Sequence, residues 1–428
     1  MDIKQVLIDQ KKELEEVVRK KKIIKREALD NFKDHANSSL IKVITGIRRC
    51  GKSFLTYLLL ENEKFAYANF DEKILLKLEP RELLSLFHEI YGDVRIVFLD
   101  EIQNCENWEL LANSFHRAGY NLFITGSNAK LLSKELATHL TGRHIDLELF
   151  PFSFREFLLA REVKLEYPLS SKEIGIVKNA LKEYVSKGGF PEVVVDNENP
   201  KIYLRNLFSD ILEKDIVVRY RIRYVETFRE MAVSLLSNFS NYISFNKLKK
   251  VFKIRSEHTV KNYLKYLEEA YLFLFIKKFS FKPKEVEIAE RKLYCIDTGI
   301  INNVGYISSP NMGRLMENLV AIELLRRKSY YNPNLEIFYF KTYEGHEVDF
   351  LIKEGLRIKQ LIQVTYANSF DEIEHREIRA LLHANELFKK HKPELICITW
   401  DYEDEKEIKW FGKRERIKFL PLWKWLLG

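Results

Sequence analysis

The sequence predicts an α/β protein built on a parallel sheet. Three observations predict it: apolar strand-type runs alternate with helical patterns from Leu40 to about Phe152, one run opens into a glycine-bounded loop, and another ends in two acids. Strands that alternate with helices in this way are covered on both faces and run parallel. The first run, Leu40-Ile41-Lys42-Val43-Ile44-Thr45, passes into Gly46-Ile47-Arg48-Arg49-Cys50-Gly51-Lys52-Ser53 and then into a helical pattern from Phe54 to Leu60. The spacing G-x-x-x-x-G-K-S is that of a P-loop. Its glycines let backbone N–H groups turn toward phosphate oxygens with no Cβ in the way, and the helix start adds partial positive charge. Lys52 is placed to reach the β- and γ-phosphates of ATP, and Ser53 to put its hydroxyl on Mg²⁺. Gly46 through Phe54 is therefore the expected cofactor-binding segment.

Strands are expected at 41–45, 65–70, 95–99, 121–125 and 145–149, and helices at 52–61, 80–91, 106–118 and 128–136. Arg95-Ile96-Val97-Phe98-Leu99-Asp100-Glu101 reads as a buried strand that ends in two acids. Acids at a strand's carboxyl end project into the crevice onto which the P-loop opens. Asp100 would hold Mg²⁺ through water and Glu101 would polarise the attacking water. Leu122 to Asn128 is a further buried strand ending in small polar residues. Asn128 orients the water or senses the γ-phosphate, or Ser127 or Asn128 caps the next helix, and both readings can hold together. Leu140-Thr141-Gly142-Arg143 sets an arginine before the fifth strand, where Arg143 reaches a γ-phosphate in its own subunit or a neighbour's, or lies on the surface.

At 428 residues one core does not suffice and several domains are expected. A net charge of +8 is small for this size, so it permits nucleic-acid contact without demanding it. The four cysteines, Cys50, Cys105, Cys295 and Cys397, are far apart and form no C-x-x-C pair, so neither a zinc knuckle nor a disulfide framework is indicated. The start Met1-Asp2-Ile3-Lys4 lacks an apolar signal core, and no apolar stretch approaches the ~18–20 residues of a spanning helix. The chain reads as cytoplasmic with no membrane partner, and its wealth of Lys, Glu and Ile suits a heat-adapted source.

The P-loop segment, Phe98-Leu99-Asp100-Glu101-Ile102-Gln103, Ile124-Thr125-Gly126-Ser127-Asn128, Thr141-Gly142-Arg143 and Leu149-Phe150-Pro151-Phe152-Ser153-Phe154-Arg155-Glu156-Phe157 together resemble the prokaryotic AAA-like ATPases common in archaea. The resemblance covers nearly the whole chain. It implies an ASCE/AAA-like P-loop NTPase core that hydrolyses ATP, joined to a C-terminal region of unknown function. The expected organisation is an N-terminal helical segment (1–39) packing one face on the next domain, a P-loop ATPase core (40–160), a helical lid (161–222), a winged helix (223–285) and a restriction-endonuclease-like α/β domain (286–428). Within the lid, Gly188-Gly189-Phe190-Pro191 is a corner or a hinge.

In the winged-helix segment, Val260, Leu264 and Leu267 make the apolar stripe of a third helix. Thr259, Lys261, Asn262 and Lys265 on that helix, with Arg255 before it, could face DNA, aided by Lys247, Lys249, Lys250 and Lys253. The other use of such a segment is a protein-binding scaffold. In the last domain, strands are expected at 336–341, 347–352, 360–366 and 394–400. Glu317 on a helix and Asp349 on a strand match the second metal site of a restriction-endonuclease-like fold. Gln363 and Thr365 stand where that fold has Glu-x-Lys, with Lys341 as a substitute for the lysine. The main expectation is a Mg²⁺-dependent ATPase whose nucleotide state switches a DNA- or protein-binding C-terminal half. An ATP-gated nuclease and a slow ATP switch that acts by homo-oligomer assembly are the alternatives.

Overall fold

The computed structural model describes residues 2–128, 142–306, 311–410 and 412–428. The helix expected at 128–136 lies outside them but for Asn128, and Thr141 lies outside them too. The chain divides into two compact units, Met1–Pro151 with Glu269–Tyr271, and Phe152–Glu268 with Leu272–Gly428.

The described strands of the first unit are β1 (Ile41–Thr45), β2 (Phe65–Asn69), β3 (Ile96–Asp100), β4 (Asn121–Gly126) and β5 (His144–Glu148). They form an all-parallel sheet in the order β2-β3-β4-β1-β5. Successive side chains point to opposite faces. Val97, Leu99, Leu122 and Ile124 enter one apolar cluster, and Tyr67, Phe98 and Phe123 the other. Burial on both faces is why these strands read as continuous apolar runs. Helix Ile3–Lys20, capped by the Asp2 side chain on Lys4 N, buries Val6, Leu7 and Val18, as a charged helix with one apolar stripe should. Helices Lys52–Leu60, Pro80–Tyr91 and Trp108–Arg117 make the parallel crossovers.

The second unit begins before the expected boundary at residue 160. Ser153 caps helix Phe154–Ala160: its Oγ accepts from Glu156 N at 3.1 Å while Glu156 Oε2 accepts from Ser153 N at 2.9 Å. Phe154 and Phe157 are fully buried within this unit. The Ser-Phe-Arg-Glu-Phe motif is thus a helix start with its own core anchors. Helices Ser171–Lys187 and Pro200–Asp210, expected as a lid, both pack on helix Thr298–Val304 of the same unit.

The boundary at 285/286 also changes. After helix Val225–Ser237 come β6 (Asn241–Ile243), helices Phe245–Val251 and Glu257–Glu269, β7 (Phe273–Lys278) and β8 (Arg291–Cys295). β8 pairs antiparallel with both β6 and β7, so a cut at 285 would split a hairpin. Next come helix Met312–Tyr330, β9 (Leu335–Lys341), β10 (Glu347–Glu354), β11 (Arg357–Val364), β12 (Glu394–Thr399), β13 (Asp404–Trp410) and β14 (Lys413–Pro421). β7 pairs parallel with β9 through Lys277↔Phe338 and Lys278↔Tyr339, which covers the open edge of the hairpin. One described sheet, β13-β14-β12-β11-β10-β9-β7-β8-β6, therefore runs through both expected C-terminal domains.

Gly188-Gly189 is a corner. A Cβ on Gly188 would lie 1.9 Å from Asp297 Oδ1, and φ there is +78°; a Cβ on Gly189 would lie 2.4 Å from Phe152 O. Asp297 Oδ2 accepts from Gly189 N at 2.7 Å, so the close approach is itself the bond that fixes the turn. Gly188→Ala should lower stability by about 2–4 kcal/mol in urea unfolding. Gly92→Ala, with φ +69° but open space around the Cβ, should cost about 1 kcal/mol.

Candidate nucleotide-binding site

The order of the first sheet sets the problem that the site must solve. The P-loop leaves the carboxyl end of β1, while Asp100 ends β3, and β4 lies between them. Two strand spacings are about 10 Å, yet Ser53 Oγ donates to Asp100 Oδ1 at 3.0 Å. Helix Lys52–Leu60 starts from Gly51 at φ +98° and carries Ser53 across the intervening strand. Thr125 near the end of β4 fills the gap. Its hydroxyl donates to Asp100 Oδ1 and accepts from Glu101 N at 3.2 Å. Tyr67 on β2 donates to Asp100 Oδ2 at 3.0 Å from the far side.

The loop itself is shaped by backbone that ordinary residues resist. Gly46 has φ +146°, and a Cβ there would sit 2.1 Å from Leu149 O. Arg49 has φ +68° and Glu101 φ +50°, both in the left-handed region. Arg26, 4% exposed, ties the loop from outside: Nη1 donates to Cys50 O at 2.7 Å and Nη2 to Phe150 O at 2.6 Å. Ile47 and Cys50 are buried, Arg48 and Phe54 are half-buried and Arg49 is exposed.

The Lys52 ammonium, buried, donates to Gly46 O and Ile47 O at 3.2 Å each and lies 3.7 Å from Glu101 Oε1. Gln103 donates to Glu101 Oε2 and to Ser127 Oγ, the latter at 3.1 Å. The two neighbouring acids are driven apart electrically. Burial, followed by the Glu101 charge, pushes Asp100 up to about 6. Burial also acts to raise Glu101, but the Lys52 ammonium, the Gln103 hydrogen bond and the Arg48 guanidinium outweigh it and hold that carboxyl below the usual range.

The residues fit a Mg²⁺–nucleotide pair. A hydroxyl and a carboxylate 3.0 Å apart form an all-oxygen donor set, which suits a hard cation. Among the described residues no group of three or more His, Cys, Asp or Glu could hold a metal ion alone. Mg²⁺ commonly takes one or two protein ligands and completes its shell with water and phosphate. Asn128 is buried directly after Ser127.

Arg143 is elsewhere. Its carbonyl accepts from Ile41 N at 2.8 Å, so it stands at the amino end of β1, with an exposed side chain. The five residues of β1, about 16 Å, separate it from the P-loop, further than an arginine reaches. The reading in which Arg143 serves its own subunit is therefore corrected. Thr125, Tyr67, Gln103 and Arg26 belong to the site, although the sequence assigned them no part in it.

In the second unit, Arg255, Lys261 and Lys265 are exposed, whereas Thr259 and Asn262 are half-buried. Asn262 Nδ2 lies 3.3 Å from His258 Nδ1, and Lys261 Nζ sits 5.3 Å from the centre of the Phe245 ring. Glu317 and Asp349 do come together, but around Lys292 of β8, 2.8 and 3.1 Å from its Nζ. The substitute lysine expected at Lys341 is instead a rim residue, 38% exposed and 3.6 Å from Glu347 Oε2. Gln363 and Thr365 are buried, and Gln363 Oε1 has no hydrogen-bond partner.

Fold and site together define an AAA-like P-loop ATPase domain with C-terminal domains of unknown function. Residues 38–158 match the AAA domain family, and residues 178–311 and 312–424 match two domains of unknown function, DUF8612 and DUF4143. An uncharacterized protein of Methanocaldococcus jannaschii is 36% identical over 424 residues, spanning 96% of this chain and 93% of that protein. An uncharacterized protein of Haemophilus influenzae is 31% identical over 93% of this chain and 96% of its own length. The chain belongs to the family of AAA-domain proteins that these relatives represent. Among solved structures, the Walker-type ATPase of Pyrococcus abyssi aligns over 66% of this chain and 96% of its own, at 17% identity and a TM-score of 0.45.

Because Asp100 holds its proton up to about pH 6, acid should compete with Mg²⁺ there. The Mg²⁺ concentration needed for half-maximal binding of a fluorescent ATP analogue should rise as pH falls through about 6 and level off above about 7. A requirement unchanged between pH 5 and 8 would exclude Asp100 from metal holding.

Proposed function

We propose that the protein is a Mg²⁺-dependent ATPase whose nucleotide state switches a DNA- or protein-binding C-terminal half. The observation that carries the proposal is the single crevice in which Ser53 meets Asp100 at 3.0 Å and Lys52 faces Glu101 at 3.7 Å. P-loop N–H groups and Lys52 bind the β- and γ-phosphates. Ser53 and Asp100 would hold Mg²⁺, which would supply charge neutralisation to the phosphates. Glu101, kept ionised by Lys52 and oriented by Gln103, accepts a hydrogen bond from the attacking water and positions it in line with the γ-phosphorus. Asn128 senses the γ-phosphate, and Thr125 holds the two acids in register.

Helix Glu257–Glu269 follows a strand and a shorter helix and precedes the β7–β8 hairpin, the element order of a winged helix. The exposed Arg255, Lys261 and Lys265 make it the surface for a nucleic-acid partner; a protein partner is the other outcome of the test below. With Arg143 at the far end of the sheet, its catalytic use requires a neighbouring subunit, so we place the active species in a homo-oligomer in the cytoplasm. The nuclease alternative draws no support from the geometry, since Glu317 and Asp349 already face an ammonium group.

Lys52→Ala should lower ATP turnover by about 100-fold or more. Glu101→Gln should keep nucleotide binding and lose about 10²–10⁴ in turnover. Unchanged turnover in Lys52→Ala would overturn the assignment. Turnover measured with duplex and single-stranded DNA separates the partners: stimulation that Lys261→Ala/Lys265→Ala removes, with basal turnover intact, favours DNA, and indifference to both DNAs favours a protein. Light scattering should show a larger mass with ATP than without, and Arg143→Ala should lower turnover without changing that mass. A mass of one chain both with and without ATP would count against action across subunits, and an oligomer of unchanged mass would count only against assembly driven by ATP.

A further inference from the structure

We infer that the carboxylate cluster of the second unit is closed to divalent metal by Lys292, whose ammonium group is its permanent counter-ion. The inference stands apart from the ATPase site and does not rest on it. Lys292 Nζ lies 2.8 Å from Glu317 Oε1, 2.6 Å from Glu347 Oε1 and 3.1 Å from Asp349 Oδ1, and its side chain is 3% exposed. These are the lengths of charge-assisted N–H···O bonds. Magnesium demands oxygen at about 2.0–2.1 Å, so a metal in the same place would have to draw all three carboxylates inward.

With Lys292 in place, each carboxylate also has a second partner. Glu317 Oε1 also accepts from the Tyr294 hydroxyl at 2.7 Å, and Asp349 Oδ2 from Val364 N at 3.0 Å. Glu347 Oε2 accepts from the Tyr242 hydroxyl and lies 3.6 Å from the Lys341 ammonium. The positions that would complete a metal-assisted cutting site are uncharged, Gln363 and Thr365. Among the described residues no group of three or more His, Cys, Asp or Glu could hold a metal ion, although three carboxylates meet here. Lys292 instead joins three elements: β8, which carries it, helix Met312–Tyr330, which carries Glu317, and β10, which carries Glu347 and Asp349. The residues do not fit the metal that a restriction-endonuclease-like site requires. They fit a buried cross-link that reuses its carboxylates.

Manganese binding to full-length protein without nucleotide tests this, with Asp100→Asn present to remove the P-loop contribution. Free Mn²⁺ is read by its paramagnetic resonance signal. Asp100→Asn and Asp100→Asn/Asp349→Asn should bind the same number of ions per chain. One ion fewer in the double variant would overturn the inference. Adding Lys292→Met to Asp100→Asn should create one site per chain, and adding Asp349→Asn as well should remove it. A folded Lys292→Met protein that gains no site would also overturn it. If that variant does not fold, the comparison with Lys292 intact still decides. Plasmid nicking with Mn²⁺ that Asp349→Ala abolishes would likewise refute the closed site.

Discussion

The Ser53–Asp100 contact is the constraint on which the nucleotide site depends, because it joins two places that the sheet keeps apart. The strand order inserts β4 between the strand that feeds the P-loop and the strand that ends in acids. A helix start can cross that distance only if the loop before it turns sharply, and here the turn is sharp because Gly46 lies too close to Leu149 O for any side chain. The same contact needs something to fill the space above β4, and Thr125 does so with one hydroxyl that serves both acids. Arg26 then removes the remaining freedom of the loop by bonding Cys50 O and Phe150 O together. The crevice is thereby shaped by backbone and packing before any phosphate enters, which is the preorganisation that electrostatic catalysis uses.

Adjacent acids at a strand end would ordinarily be two equivalent anions. Here their environments separate them. Asp100 is surrounded by hydroxyl donors, which help its charged form less than an ammonium would, and burial dominates. Glu101 turns away in a left-handed conformation and meets Lys52. One carboxyl is thus easily neutralised, and the other stays charged and suited to accept a hydrogen bond from water. The division follows from backbone conformation at one residue as much as from side-chain chemistry.

What was legible in the sequence is what is local in the chain. The five strands of the first sheet, the P-loop and the two acids each announce themselves within a few residues, because apolar runs, glycine spacing and a strand end need no distant partner. Tyr67, Thr125, Arg26 and Lys292 do not, since each acts on a group that only topology brings near. Thr125 lay inside a segment already singled out, and a polar residue within an otherwise apolar run was the available signal. The compact units divide the chain differently from the expected domains for a related reason. A strand such as β8 reads as the start of a new domain, yet it closes a hairpin with β7 and completes a sheet to which β9 belongs. Ser153-Phe154-Arg155-Glu156-Phe157 lies within the matched AAA domain, while its capping box and its two phenylalanines anchor a helix of the second compact unit.

The two carboxylate clusters of the chain show how the identity of a neighbour decides the use of an acid. At the P-loop the partners of Asp100 are hydroxyls, which can swing to accept or donate and so yield to an arriving ion at small cost. At β10 the partner of Asp349 is an ammonium on a buried strand, whose charge cannot leave without removing the shared partner of three acids, two of which, Glu317 and Asp349, burial already pushes upward. A hydroxyl-lined acid remains available, whereas an ammonium-paired acid is committed to structure. The same reasoning explains why Gln363 and Thr365 are tolerated where a metal-dependent site would need charge. Lys292 is already one cation against three carboxyl groups, so a further carboxylate on β11 would add a buried anion with nothing to balance it.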